Sequence, residues 1–151
     1  MNRALLNVLR ILAVLLVLTG CSHGPKTSSL VSAKGAFDEL RDAVRDEIKE
    51  PARADEVAGV VDQMEQLMIE AAEARQAHDI RLQALIRNYD APEEDFNAAF
   101  REFNEKKSSR QDRLLLLDQR ARSLTTANEW KALIKVAVRA LKESVQAEQG
   151  M

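Results

Sequence analysis

Cysteine occurs once in these 151 residues, at Cys21, histidine occurs twice, and no glycine-rich phosphate loop is present. A catalytic site needs convergent groups, such as a nucleophile with its base or a cage of metal ligands, and no such set is visible. Carboxylates are numerous but spread along faces that read as solvated, so no cofactor is expected, and a metal site would have to be assembled from His78 and neighbouring acids. Aromatic residues make up 4% of the chain and charged residues 30%, a balance that suits long solvated helices and not a sandwich or barrel. Basic charge is not in excess, with 22 Lys and Arg against 24 Asp and Glu, which argues against a nucleic-acid face. Uninterrupted apolar sequence is equally scarce. The one sizeable run, Ile11 to Leu18, falls well short of the roughly 20 residues that span a bilayer.

That run is nonetheless the most informative stretch of the chain. Arg3 and Arg10 precede it, and Leu18-Thr19-Gly20-Cys21 closes it. A basic start, a short apolar core and small residues before a cut are the layout of a secretory signal. The ending L-T-G-C resembles the lipobox of bacterial lipoproteins, in which the cysteine is lipidated and becomes the first residue of the mature chain. This resemblance implies a signal peptide over 1–20 and a lipid anchor at Cys21. Several acyl chains hold firmly, because each buried methylene adds about 0.8 kcal/mol. Ser22 stands where lipoproteins retained in the inner membrane of enteric bacteria carry aspartate, so the resemblance implies the periplasmic face of the outer membrane. Cleavage removes Arg3 and Arg10 and no acid. The remaining 131 residues then hold 20 basic and 24 acidic groups, a net charge of −4, and no free thiol.

Residues 21–33 are rich in Gly, Pro and Ser and lack periodicity, so they read as a flexible tether spanning about 20 Å, with His23 a solvated linker residue. A helical domain is expected over 34–148. Phe37, Leu40, Val44 and Ile48 recur at helical spacing and predict a first helix near 34–49. Pro51 interrupts it and suits the first turn of a second helix reaching Tyr89. The segment from Asn88 to Glu93 marks a break and restart, and a third helix runs from about Pro92 to Ser123. Thr126 to Glu129 matches the S/T-x-x-E capping box and opens a fourth, through Trp130, Leu133, Ile134, Ala137, Leu141 and Val145. The expected fold is all-α, a long antiparallel helical hairpin with two shorter flanking helices. Its core is expected to hold Phe37, Val44, Val57, Val61, Met64, Met68, Leu114, Leu117, Leu124, Trp130, Ile134 and Leu141.

Helices two and three carry heptads. The seam positions are Val57, Val61, Met64, Met68, Ala71, Arg75, His78, Leu82, Leu85 and Tyr89, and then Phe96, Phe100, Phe103, Lys107, Arg110, Leu114, Leu117, Ala121 and Leu124. A short turn makes the helices antiparallel, so residues whose numbers total about 185 are expected to face each other. Leu85 then meets Phe100, Leu82 meets Phe103, and Arg75 and His78 land opposite Lys107 and Arg110. Four basic groups in one dry layer would repel. Either the layer is wet and its side chains snorkel outward, or acids neutralise it, from a partner or from Glu70, Glu73, Asp79 and Asp112. The runs Val60-Val61, Leu67-Met68-Ile69 and Leu114 to Leu117 are apolar around much of the helix, as a bundle core requires. The flanking helices reach only to about Met68 and Asn104, which leaves Leu82, Leu85, Ile86, Tyr89, Phe96, Phe100 and Phe103 as a bare two-helix tip.

An exported helical chain with such a hairpin and Leu124-Thr125-Thr126-Ala127-Asn128 near its end resembles the periplasmic LTxxQ proteins of the Spy/CpxP type. Asn128 stands where that motif has glutamine, the earlier copy of the motif is absent, and so is the histidine-rich content of the zinc-binding members. The resemblance covers about residues 34 to 145 and implies a chaperone or stress-response adaptor forming antiparallel dimers. The expected role is therefore non-enzymatic binding of a partner or client protein, through Phe96, Phe100, Phe103, Leu82, Leu85, Tyr89, Arg75, His78, Lys107 and Arg110. A structural spacer or small subunit of an envelope complex is the first alternative, and a periplasmic metal sensor the second. A homodimer that buries two tips and sets Glu93, Glu94 and Asp95 near the partner's basic residues is expected too. Cys21→Ala is expected to leave a precursor that takes up no labelled fatty acid, and undiminished labelling would refute the anchor.

Overall fold

Three short interruptions, each legible in the sequence, divide the described residues into four helices. The computed structural model describes the backbone of residues 27–149 and the side chains of 34–143, so the expected signal segment 1–20, Cys21 and the expected tether up to residue 26 lie outside the described residues. The helices are α1 (Thr27–Glu47), α2 (Pro51–Arg87), α3 (Glu93–Ser123) and α4 (Ala127–Gln149), with no strand among the described residues. The fold is all-α. At the first break Pro51 takes a first-turn position and Glu50 before it is extended, the conformation that a following proline enforces. At the second, the Asn88 side chain accepts from the Asp90 N–H at 3.2 Å and the Asn88 carbonyl from the Ala91 N–H at 3.0 Å. Glu93, Glu94 and Asp95 then occupy the first turn of α3, where carboxylates offset the helix dipole. At the third, the Glu129 carboxylate accepts from the Thr126 N–H at 2.7 Å, and the Thr126 hydroxyl accepts from the Glu129 N–H at 3.4 Å. This is the capping box the sequence predicts.

Two boundaries differ from expectation. α1 begins at Thr27, so residues 27–33 of the expected tether are helical. α2 stops at Arg87, because Asn88 leaves the helix to build the turn.

At 1.5 Å per residue, α2 and α3 are about 55 and 46 Å long, and α1 and α4 about 31 and 34 Å. Ion pairs fix how they lie together. Arg41 on α1 meets Asp62 at 2.7 Å and also Glu65, so α1 runs antiparallel to α2. Arg139 on α4 meets Glu39 at 3.0 Å, so α4 runs antiparallel to α1. Glu70–Arg113 at 2.9 Å and Arg81–Glu102 at 2.7 Å pin α2 to α3. All four helices therefore meet at one end, the base, and only α2 and α3 continue past about residue 77 to the far turn.

The core sits in the base. Val44, Ile48, Ala54, Val57, Val61 and Leu133 form one buried cluster, with Phe37, Leu40, Ala43, Ala58 and Leu124 packed against it. Each large aliphatic chain buried there contributes roughly 1.5–3 kcal/mol. Of the expected core, Val44, Val57 and Val61 are buried, while Met64, Met68, Leu114, Leu117, Trp130, Ile134 and Leu141 are only half-buried. The small residues Ala54, Ala99, Ala121 and Ala140 are covered instead, together with Val60, Leu67 and Leu133. In so slender a bundle, residues on the line of closest approach are sealed by their neighbours while long chains flanking it keep one side open. The leucine run is a further correction. α4 packs along α1 and not along α3, which leaves Leu115 and Leu116 51% and 64% exposed.

One cluster of polar contacts locks the base. Arg53 on α2 donates to both carboxylate oxygens of Glu129 on α4, at 2.6 and 2.9 Å, and to the Leu124 carbonyl at 3.2 Å. The Arg53 guanidinium, and next the Thr126 N–H, hold the Glu129 carboxyl down at about 2. A carboxylate depressed on folding adds stability above its ordinary value near 4.5, and that contribution fades as pH falls towards 2. Circular dichroism of acid unfolding is therefore expected to show Glu129→Gln less stable at pH 7 and less sensitive to acid between pH 4.5 and 2. Equal acid sensitivity would remove Glu129 from the explanation. Ile48→Ala, in the buried cluster, is expected to cost roughly 2–5 kcal/mol by denaturant unfolding.

Candidate interaction surface on the hairpin

Beyond the base, α2 and α3 are held by one seam and one row of ion pairs. The His78 ring stacks on Phe103 at 4.2 Å and 14° and meets the edge of Phe100 at 5.4 Å and 68°. These aromatic contacts, with Arg81–Glu102 and Glu70–Arg113, set facing residues at numbers totalling about 182, not about 185. The hairpin is thus displaced by one seam layer from the expected register. Leu82 takes the level of Phe100 and His78 that of Phe103. Both registers satisfy a heptad pattern, because every layer near the tip offers apolar partners. The connection from 88 to 92, with its midpoint at Asp90, corresponds to a total of about 180 and so accords with the observed register better than with the expected one.

This displacement dissolves the expected four-cation layer. Arg75 and Lys107 share one level, Arg110 falls opposite the small Ala71, and His78 moves to the aromatic layer. Arg75 is exposed, and Lys107 and Arg110 are half-buried. Among the described residues no carboxylate lies within ion-pair distance of these three. Glu70, one of the acids offered as an alternative way to neutralise them, is taken by Arg113. The long side chains reach outward to water, which removes the repulsion.

The two edges of the hairpin differ in character. Along one, Glu102 bridges Arg81 at 2.7 Å and Lys106 at 2.6 Å, and Glu70 meets Arg113. Lys106 and then Arg81 hold the Glu102 carboxyl below its usual range. Such exposed pairs add only about 0.2–1 kcal/mol each, so they fix the register more than they stabilise it. The other edge has no such row. Glu93, Asn97, Phe100, Asn104 and Lys107 follow one another there at steps of four and three, with Phe100 47% exposed. Ala99, fully buried near the tip, lets α2 and α3 approach closely at that level.

Of the residues singled out by sequence, His78, Phe100 and Phe103 are in direct contact. Leu82, Leu85 and Phe96 are half-buried in the seam, whereas Tyr89 at the turn is wholly exposed. Ile86, 71% exposed, belongs to this surface as much as Tyr89 does. Ile80, off the heptad seam, is exposed on α2 as well. At the base, Arg122 lies 5.0 Å over the Trp130 ring and 3.1 Å from Asp118. Burial pushes the Asp118 carboxyl up, against the pull of Arg122.

Among the described residues no group of three or more His, Cys, Asp and Glu side chains lies close enough to hold a metal ion. None of the described helices is long and apolar enough to cross a membrane. No protein-family model, curated protein or solved structure matches the chain.

Proposed function

We propose that this protein is a non-enzymatic lipoprotein of the bacterial envelope that binds other proteins through the far half of its helical hairpin, as a chaperone-like or stress-response adaptor. Cys21 anchors it to the periplasmic face of the outer membrane, as the lipobox resemblance implies. The observation that carries the reading is the apolar surface that α1 and α4 leave bare: Phe100, Ile86 and Tyr89 stand exposed on a hairpin whose register is held by ion pairs on its other edge. Exposed aromatic and aliphatic groups offer the apolar area that a partner chain buries on binding. Unpaired Arg75, Lys107 and Arg110 beside them suit acidic segments of a client and speed its capture. The corner from Leu124 to Asn128, which carries the LTxxQ-like resemblance, caps α4 and receives Arg53, so its residues serve the fold and leave binding to the hairpin.

A second reading, a structural spacer or small subunit of an envelope complex, draws on Leu115 and Leu116, whose exposure on α3 suits one fixed partner. The metal-sensor alternative has no comparable support. In-cell photocrosslinking from position 100 of the full chain separates the first two readings. Many client bands are expected, and one band of fixed mass would favour the spacer. In parallel, Phe100→Asp is expected to lower suppression of client aggregation several-fold with helicity unchanged. Full suppression by that variant would take the hairpin edge out of the function.

A further inference from the structure

α4 buries Leu133 and Ala140 and turns its other side to solvent. On that side Lys131, Lys135, Val138 and Lys142 follow at steps of four, three and four. At about 100° per residue they fall along one line, roughly opposite Leu133 and Ala140 and about 16 Å long. The three lysines are exposed, and Val138 between them is half-buried. Among the described residues none of the three has a carboxylate within ion-pair distance. The acids of α4 are engaged elsewhere: Glu129 holds Arg53 at the base, and Glu143 lies 4.0 Å from Arg139, which also meets Glu39 at 3.0 Å. Three uncompensated bases in line stand out in a chain whose net charge is −2.

The neighbouring helix has the opposite character. α1 exposes Asp38, Asp42, Asp46 and Glu47, so an anionic surface is repelled by its outer face and drawn to the lysine line of α4. Chain geometry brings such a surface within reach. The Arg139–Glu39 pair sets the start of α1 at the same end as the late turns of α4, and Thr27 lies about 18 Å beyond Glu39. Six residues separate Thr27 from Cys21, a stretch of at most about 20 Å. A basic helix face beside apolar residues is the pattern of helices that lie in the headgroup region of a membrane. From this charge complementarity and from where the anchor joins, we infer that the lysine line of α4 docks on anionic phospholipid headgroups, laying the base of the molecule along the membrane. Each base so placed strengthens attachment roughly fivefold. The inference rests on the lipid anchor of the functional reading. It leaves the Phe100 edge open to clients, because that edge belongs to α3, along which α4 does not pack.

Fluorescence quenching on vesicles tests it. Asn128, exposed one heptad before Lys135, is replaced by cysteine in the full chain and labelled with bimane. The chain is then placed in phosphatidylcholine vesicles with and without phosphatidylglycerol, each holding a lipid spin-labelled at its headgroup. Quenching is expected to be several-fold stronger when phosphatidylglycerol is present and to fade in high salt. Lys131→Glu/Lys135→Glu/Lys142→Glu is expected to abolish the difference, and the same three changes to Gln to reduce it, with helicity unchanged by circular dichroism. Equal quenching in both vesicle types, or an undiminished difference in the charge-reversed chain, overturns the inference; a vesicle-bound chain whose label stays in water overturns it in favour of an acidic protein partner. Flotation of the same samples reads the anchor separately. A chain that floats only with phosphatidylglycerol, with its label quenched, upholds the docking and removes the anchor, and one that floats with neither removes both.

Discussion

Arg53 sits where three segments of the chain converge. Its guanidinium closes a two-point contact on Glu129 at the start of α4 and reaches the last carbonyl of the α3 corner, while its own helix begins two residues earlier at Pro51. That arrangement brings the start of α2, the end of α3 and the start of α4 to one place, and the cluster around Val44, Ile48, Val57 and Leu133 lies beside it. Charge-assisted, two-point hydrogen bonds are directional, whereas aliphatic packing is not. The apolar cluster supplies the larger share of stability, and the Arg53 contact selects which helix ends share it. Because every helix is tied at this end, helix length alone decides how far each one travels, and α2 and α3 outrun their neighbours.

Stability is consequently graded along the molecule. The base buries aliphatic side chains from three helices, while the far part of the hairpin has one seam, a buried alanine and exposed ion pairs. Segments with few buried apolar contacts open at lower cost than cores. In the proposed role this position is an advantage, since the apolar residues of the far part are not shared with the base and a partner's contacts would add directly to a weakly held region.

The register of the hairpin decides which of its residues meet across the seam. With His78 against Phe103, the aromatic ring of Phe100 is pushed to the edge of the seam and stays half open to solvent, and the basic residues separate. In the alternative register those bases would share one layer and Phe100 would pair inward with Leu85. The phase of α3, which buries Ala99 beside it, leaves Phe100 47% exposed.

Much of this was legible in the chain itself. Pro51, the Asn88–Pro92 break and the Thr126–Glu129 box predict three of the helix boundaries, because proline geometry and capping hydrogen bonds act over a few residues. The all-α class follows from periodicity for the same reason. What tertiary structure alone decided is non-local. A heptad repeat looks the same after a shift of one layer, so nothing within α2 or α3 could choose between Leu85 and Leu82 as the level of Phe100; the 88–92 turn accords better with Leu82. Nor could the four leucines from Leu114 to Leu117 reveal that α4 leans on α1, since hydrophobic residues specify that burial is favourable but not which neighbour provides it. Leu115 and Leu116 stay in water, and Leu133 in place of Ile134 enters the core, because the directional contacts at the base set the path of α4 and a single residue turns a helix by about 100°.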